Sequence, residues 1–170
     1  GPLENRARFL RRVYSAIRDA VGPKFTVAVK LNSADFQKGG FTLEDSCQVA
    51  RWLEQDGIDL IELSGGTYEQ MSFVNDAPEE QRDSTKRREA YFLEYAREVR
   101  KAVDVPLMVT GGFRSLSAME EAISDDGIDV IGLARPLCIQ PDAVASLLDE
   151  SVGTIAVNEE GLMIGRGRFG

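Results

Sequence analysis

The stretch DGIDLIELSGG, residues 56–66, returns 70 residues later as DGIDVIGLARP, residues 126–136. The first six positions differ only by Leu60 against Val130. In each copy an Asp-Gly turn enters a run that is apolar on both faces. That is the pattern of a strand buried in a parallel sheet. The residues after the runs diverge, Ser64-Gly65-Gly66 in one and Ala134-Arg135-Pro136 in the other. The contrast predicts that the strand is scaffold and that the chemistry lies just past it.

Working outward, helical and strand patterns alternate. Leu3 to Val21 carries Phe9, Leu10, Val13, Ile17 and Val21 near helical spacing and stops at Gly22-Pro23. A β-branched strand, FTVAVKL, follows over residues 25–31. The next helix begins near Thr42, where Thr-Leu-Glu-Asp offers an N-cap with an acidic residue three positions on; Val49, Trp52 and Leu53 are its buried stripe. After IDLIEL comes a long polar loop from Ser64 to about Ser84, then the helix REAYFLEYAREVRKAV. The strand PLMVTGG, the helix SLSAMEEAIS opening at Ser115 or Ser117, the strand IDVIGL and the short helix PDAVASLLDE, with Pro141 in its first turn, complete the order. Such alternation indicates an α/β protein with about four parallel strands and helical crossovers. Residues 1–150 form the domain, and residues 151–170 are a glycine-rich tail without an assigned structure.

Bulk properties bound the function. A chain of 170 residues with 43% apolar content can bury a core, and a net charge of −8 argues against nucleic acid as a partner. The basic run Thr85 to Glu89 reads as the solvated start of a helix. Cys47 and Cys138 have neither CxxC nor zinc spacing, so reduced thiols and a cytoplasmic location are expected, with no metal site. No apolar run approaches the ~20 residues of a membrane span. ENRARFLRR near the start is charged and amphipathic, unlike a signal peptide.

Ligands of parallel α/β sheets gather where the strands end. Those ends here are Lys30-Leu31-Asn32, Glu62 to Gly66, Thr110-Gly111-Gly112 and Gly132 to Arg135. Gly111 and Gly112 precede a helix, so backbone N–H groups and the helix N-terminus could meet an anion; strand-to-helix turns also use glycine for structure alone. At the next strand end Gly132 gives backbone access. Arg135 presents a planar fork suited to phosphate oxygens, or to a surface ion pair. Glycines at one strand end and Gly-x-x-Arg at the next match the phosphate site that many (β/α)8 barrels place after their last two strands. Lys30 ends an apolar strand, either snorkelling to water or serving a ligand; Glu62 could orient neighbouring groups or pair with Lys30, and pairing is the favoured reading.

Taken together, LENRARFL, VAVKLN, IDLIELSGGTYE, REAYFLEYAREVRKAVDVPLMVTGGFRS and IDVIGLARPLCIQPD resemble the second half of an old yellow enzyme-type NADH:flavin oxidoreductase, nearest the NADH oxidase or 2,4-dienoyl-CoA reductase-like branch. The likeness runs from Leu3 to about Leu148. It implies a TIM-barrel-type (β/α)8 fold binding FMN, with NADH or NADPH as reductant and an electron-poor alkene as substrate. By position, Lys30 corresponds to the cation at the flavin N1–C2 carbonyl. Gly111, Gly112, Ala134 and Arg135 correspond to the phosphate site, and Gly132 shapes its turn. Ser64, Gly65 and Gly66 border the active-site mouth, and Tyr68 begins the loop over it.

Departures from the family pattern are equally informative. The chain has no histidine, whereas the resemblance implies a histidine-bearing motif ahead of LENR that holds the substrate carbonyl. The carbonyl-activating pair, the residues on the flavin pyrimidine edge, the usual tyrosine proton donor and the first four strands are also missing. Four barrel strands leave two open edges, FTVAVKL and IDVIGL, so a homodimer or a complementary half-barrel is expected. The chain is then inactive alone, or a non-redox assembly module that homo-oligomerises through its strand edges. A third option is a phosphate-ester isomerase or aldolase using Lys30 as an amine nucleophile.

Overall fold

The computed structural model describes residues 1–32, 40–64 and 93–155. The order is α1 (Leu3–Val21), β1 (Ala28–Asn32), α2 (Leu43–Asp56), β2 (Leu60–Ser64), α3 (described over 93–100), β3 (Leu107–Thr110), α4 (Leu116–Ser124), β4 (Val130–Gly132), α5 (Arg135–Ile139) and α6 (Ala143–Leu148). The four strands form one parallel sheet in sequential order, β1-β2-β3-β4. This is the expected α/β alternation.

One face of the sheet is the core face. Leu31, Ile61, Leu63, Leu107 and Val109 are buried there in one cluster with Val49, Ala50 and Leu53 of α2, Ala96 and Val99 of α3, and Met119 and Ala122 of α4. Alternate positions, Lys30, Glu62, Met108 and Val130, stand on the opposite face in register with one another. Period-two alternation therefore sorts apolar residues toward the helices and leaves a more polar opposite face. In α2 the buried stripe also takes in Ser46 and Ala50, while Trp52 is half-buried.

Helix limits follow their caps. Gly22 ends α1 at φ 78°, its N–H bonding the Arg18 carbonyl at 2.9 Å. Thr42 caps α2, its hydroxyl accepting from the Asp45 N–H at 3.1 Å. At α4, Ser115 is the N-cap residue but makes no side-chain cap bond. Instead the Leu116 N–H donates to the Gly153 carbonyl at 2.9 Å, and the Ile155 N–H donates to the Arg114 carbonyl at 2.8 Å. Ser115 and Thr154 form an antiparallel bridge, and Ile155 is buried. The C-terminal segment is thus docked through residue 155; residues 156–170 lie outside the described residues.

Several boundaries differ from the sequence reading, and the strand entries and the last helices do so for local reasons. Strand β1 starts at Ala28 rather than Phe25, and β2 and β4 start at Leu60 and Val130 rather than at Ile58 and Ile128. At these entries an aspartate takes over part of the ladder. Asp59 Oδ2 accepts from the Val27 N–H at 2.7 Å, and Asp129 Oδ2 accepts from the Leu107 N–H at 2.9 Å. The last helical segment is split. Pro136, in the first turn of α5, starts a five-residue helix where a plain strand-end loop was expected. Pro141 precedes α6 instead of lying in its first turn, because Asp142 is the N-cap.

Candidate functional site

The two DGID copies are held by the same device at the strand entries. From α1, the Arg18 guanidinium donates to the carbonyls of Gly22 at 3.1 Å, Phe25 at 2.6 Å and Gly57 at 3.4 Å, and to the Asp59 carboxylate. From α3, Arg100 donates to the carbonyls of Gly127 at 2.9 Å, Val103 at 3.3 Å and Val105 at 3.1 Å, and to Asp129 at 2.8 Å. Gly57 and Gly127 sit at φ 89° and 67°, which places their carbonyls at the turn without a side-chain penalty. The leading aspartates are paired too. Arg11 binds Asp56 through two bonds of 2.6 and 2.7 Å, and Arg97 binds Asp126 at 2.5 Å. The repeated motif is therefore a structural clamp at the N-terminal edge of the sheet.

An open groove of about 630 Å³ lies beside the first clamp, lined by Arg8, Arg11, Arg12 and Arg18 among others. Arg11 and Arg18 already face Asp56 and Asp59, and the groove is at the structural edge of the sheet. It is not the candidate site.

The opposite edge differs. Lys30 Nζ donates to Glu62 Oε1 at 2.7 Å, linking adjacent residues of β1 and β2 on the sheet face away from the helices. The Lys30 side chain is 57% exposed and that of Glu62 21%. Desolvation pushes the Glu62 carboxyl up, but Lys30 and the nearby Thr110 hydroxyl outweigh it and hold the group below its ordinary value. Thr110 Oγ1 is buried without a hydrogen-bond partner among the described residues. One layer further along the strands, Asn32, Ser64, Thr110 and Gly132 lie side by side in register.

Gly132 has a firm steric reason. A Cβ there would overlap Thr110 Oγ1 and lie 2.7 Å from Met108 Cε and 2.8 Å from Thr110 Cβ. Only glycine lets β4 lie against the Thr110 side chain. Beyond β3, Gly111 and Gly112 are partly exposed and turn the chain at φ 120° and 82°, conformations that side-chain-bearing residues rarely adopt. Ala134 is the N-cap of α5, and the Arg135 backbone opens that helix. The described part of Arg135 is its backbone. Gly65, Gly66 and Tyr68 lie outside the described residues.

The fold thus brings Lys30, Ser64, Gly111, Gly112, Gly132 and Ala134 to one edge of one sheet. Sequence reasoning passed over Asn32 and Thr110 as site residues and favoured pairing with Lys30 over orienting neighbouring groups as the role of Glu62. Period two was the available signal: Asn32 follows Lys30, Ser64 follows Glu62 and Thr110 follows Met108 by two, so each pair shares a face. Which of these residues meet across strands depended on register, which no single strand reveals.

Parallel strands with helical crossovers, and polar residues collected at the strand ends, define an α/β domain of TIM-barrel type. The chain belongs to the NADH:flavin oxidoreductase / NADH oxidase family, whose profile matches residues 1–150. It is similar to the NADH-dependent flavin oxidoreductase nadA of Aspergillus parasiticus, 37% identical over 142 residues, covering 83% of this chain and 31% of that protein. The NADH-dependent flavin oxidoreductase iliE of Hypocrea jecorina is 36% identical over 145 residues, covering 83% and 35%. The chain spans about a third of the length of these two relatives. Among solved structures, a 2-naphthoyl-CoA reductase complexed with 2-naphthoyl-CoA superposes with a TM-score of 0.74 at 26% identity, covering 91% of this chain and 23% of that one. Morphinone reductase superposes at 0.62 with 18% identity, covering 94% and 38%, a likeness of fold alone.

Proposed function

We propose that this chain is the C-terminal half of an FMN-binding, NADH- or NADPH-dependent oxidoreductase of the ene-reductase type, and that it carries the cofactor-holding edge of the barrel. The observation that carries this reading is the polar layer at the strand ends, with Lys30 beside Glu62 and with Asn32, Ser64 and Thr110 on the same face. A flavin presents two carbonyls and an N–H along its pyrimidine ring, and a cation with hydroxyl and amide groups is a donor set that fits them. Lys30 would face the N1–C2 carbonyl, where developing negative charge is stabilised by an ammonium. The Gly111-Gly112 turn and the backbone entering α5 would hold the phosphate, with Arg135 as its counter-charge. FMN held there would supply hydride-transfer chemistry between a nicotinamide and an electron-poor alkene.

The chain has no histidine to polarise a substrate carbonyl, so turnover requires the other half of the barrel. The α1 surface supports such a partner. Phe9 is 80% exposed, and Val13, Ile17 and Val21 continue the same stripe at four-residue spacing, with Phe25 exposed just beyond. Among the described residues β1 and β4 are the end strands of the sheet, and this side would fit a complementary half-barrel or a second copy. The same stripe favours a second reading, a non-redox module that homo-oligomerises through its edges. Free Cys47 and Cys138 suit the cytoplasm.

The test is titration of the chain with FMN and with riboflavin, followed by flavin fluorescence. FMN should bind more tightly than riboflavin, and Arg135→Ala should abolish that preference. Equal affinity of the wild-type chain for both ligands contradicts the phosphate assignment. Sedimentation of the same sample decides between the readings of the open edges: concentration-dependent self-association without flavin binding favours the assembly module.

A further inference from the structure

On the reading that a flavin pyrimidine edge lies over Lys30, we infer that Glu62 is a positioning residue that also sets the charge the flavin meets, partly neutralising Lys30 and thereby weakening this chain's preference for reduced over oxidised FMN. The argument begins with register. Lys30 and Glu62 are direct neighbours across the β1–β2 ladder, so the same backbone pairing that builds the sheet fixes their side chains side by side. Their 2.7 Å contact is on the more open face, where a ligand at the strand ends would meet both. Glu62 is the more buried partner, and the two side chains are 21% and 57% exposed. The carboxylate is therefore the fixed member and the ammonium the one that reaches outward.

Against desolvation, Lys30 and after it Thr110 hold Glu62 in its charged form. Thr110 stands close enough to favour the charged carboxylate, and it has room there because residue 132 lacks a Cβ that would overlap its hydroxyl. Lys30, Glu62, Thr110 and Gly132 thus form one arrangement across all four strands. A lysine alone at this position would present a full positive charge to the flavin and favour its reduced, electron-rich form. A lysine sharing its charge with Glu62 presents less, and the preference falls.

The experiment compares the full chain with Glu62→Gln, Glu62→Asp and Lys30→Met. Affinities for oxidised FMN and for dithionite-reduced FMN are measured anaerobically. Gln keeps an oxygen that can accept from Lys30 Nζ and loses the charge. Glu62→Gln should raise the reduced-to-oxidised affinity ratio about tenfold, which is about 30 mV upward for a two-electron couple. Lys30→Met should move the ratio the other way, and Glu62→Asp should stay near wild type. An unchanged or lower ratio in Glu62→Gln, with FMN still bound, overturns the inference and leaves the flavin reading standing.

A flavin-independent arm follows the Glu62 carboxyl by ¹³C NMR. Lys30→Met should raise its pKa, and no change overturns the inference at its root. If that shift is seen but neither redox form of FMN binds any variant, the flavin reading fails and the inference falls with it.

Discussion

Residues 3–64 and 93–132 are two copies of one plan, helix-strand-helix-strand, and they agree at one end of the sheet and differ at the other. At the strand entries Arg18 and Arg100 do the same work. Each ties a helix C-terminus, the following loop, a left-handed glycine and an aspartate that caps the neighbouring strand. At the strand exits the first copy supplies Lys30, Asn32, Glu62 and Ser64, and the second supplies Thr110, Gly111, Gly112 and Gly132. What repeats holds the fold, and what diverges lies where ligands of such sheets bind.

The largest effect tests the exit end as a packing unit. Gly132→Val places branched carbon against Thr110 and Met108 and should cost about 3 kcal/mol, at the upper end of the overpacking range, read by urea denaturation. A loss well below this would mean that β4 yields easily and that Gly132 is not fixed by Thr110.

Next come the clamps. Arg100→Ala removes bonds to three carbonyls and Asp129 and should destabilise by about 2 kcal/mol. Arg18→Ala should lower Tm further, because Arg18 also donates to the Tyr14 hydroxyl at 3.2 Å and lies over its ring. Neither substitution should alter the FMN-over-riboflavin preference of the chain that remains folded. A change in that preference would break the division between the two ends.

The smallest effect is electrostatic. The Val27 N–H first, and Arg18 next, hold the Asp59 carboxyl below its ordinary value against desolvation. A depressed folded pKa gives stability that is present above the unfolded value, about 3.9, and is lost as pH falls through the folded one. Asp59→Asn should therefore be less stable than wild type at pH 7, and the gap should close as pH falls below about 4. A gap that stays constant to pH 2 would show that the charge contributes nothing.

Much of the architecture was legible because local signals were strong. Gly22-Pro23 stops α1, Thr42 starts α2, and alternating apolar runs mark parallel strands. The clamps were not legible: Arg18 and Asp59 are 41 residues apart, and Arg100 and Asp129 are 29 apart. Late strand starts followed from those same aspartates, and α5 was hidden in what read as a strand-end loop. At the candidate site Lys30, Gly111, Gly112 and Gly132 stood out by residue type. Asn32 and Thr110 did not, because their place depends on how four strands align. The sequence reading gave Gly132 a role in shaping a phosphate turn; its demonstrable constraint is contact with Thr110.

The most direct test of the flavin assignment is amide chemical-shift mapping of the ¹⁵N-labelled chain titrated with FMN. The account predicts perturbations gathered at Asn32, Ser64, Gly111, Gly112, Gly132 and Ala134, with the Arg18 and Arg100 clamps quiet. Perturbations centred instead on the groove of Arg8, Arg11 and Arg12, or none at saturating FMN, would contradict it.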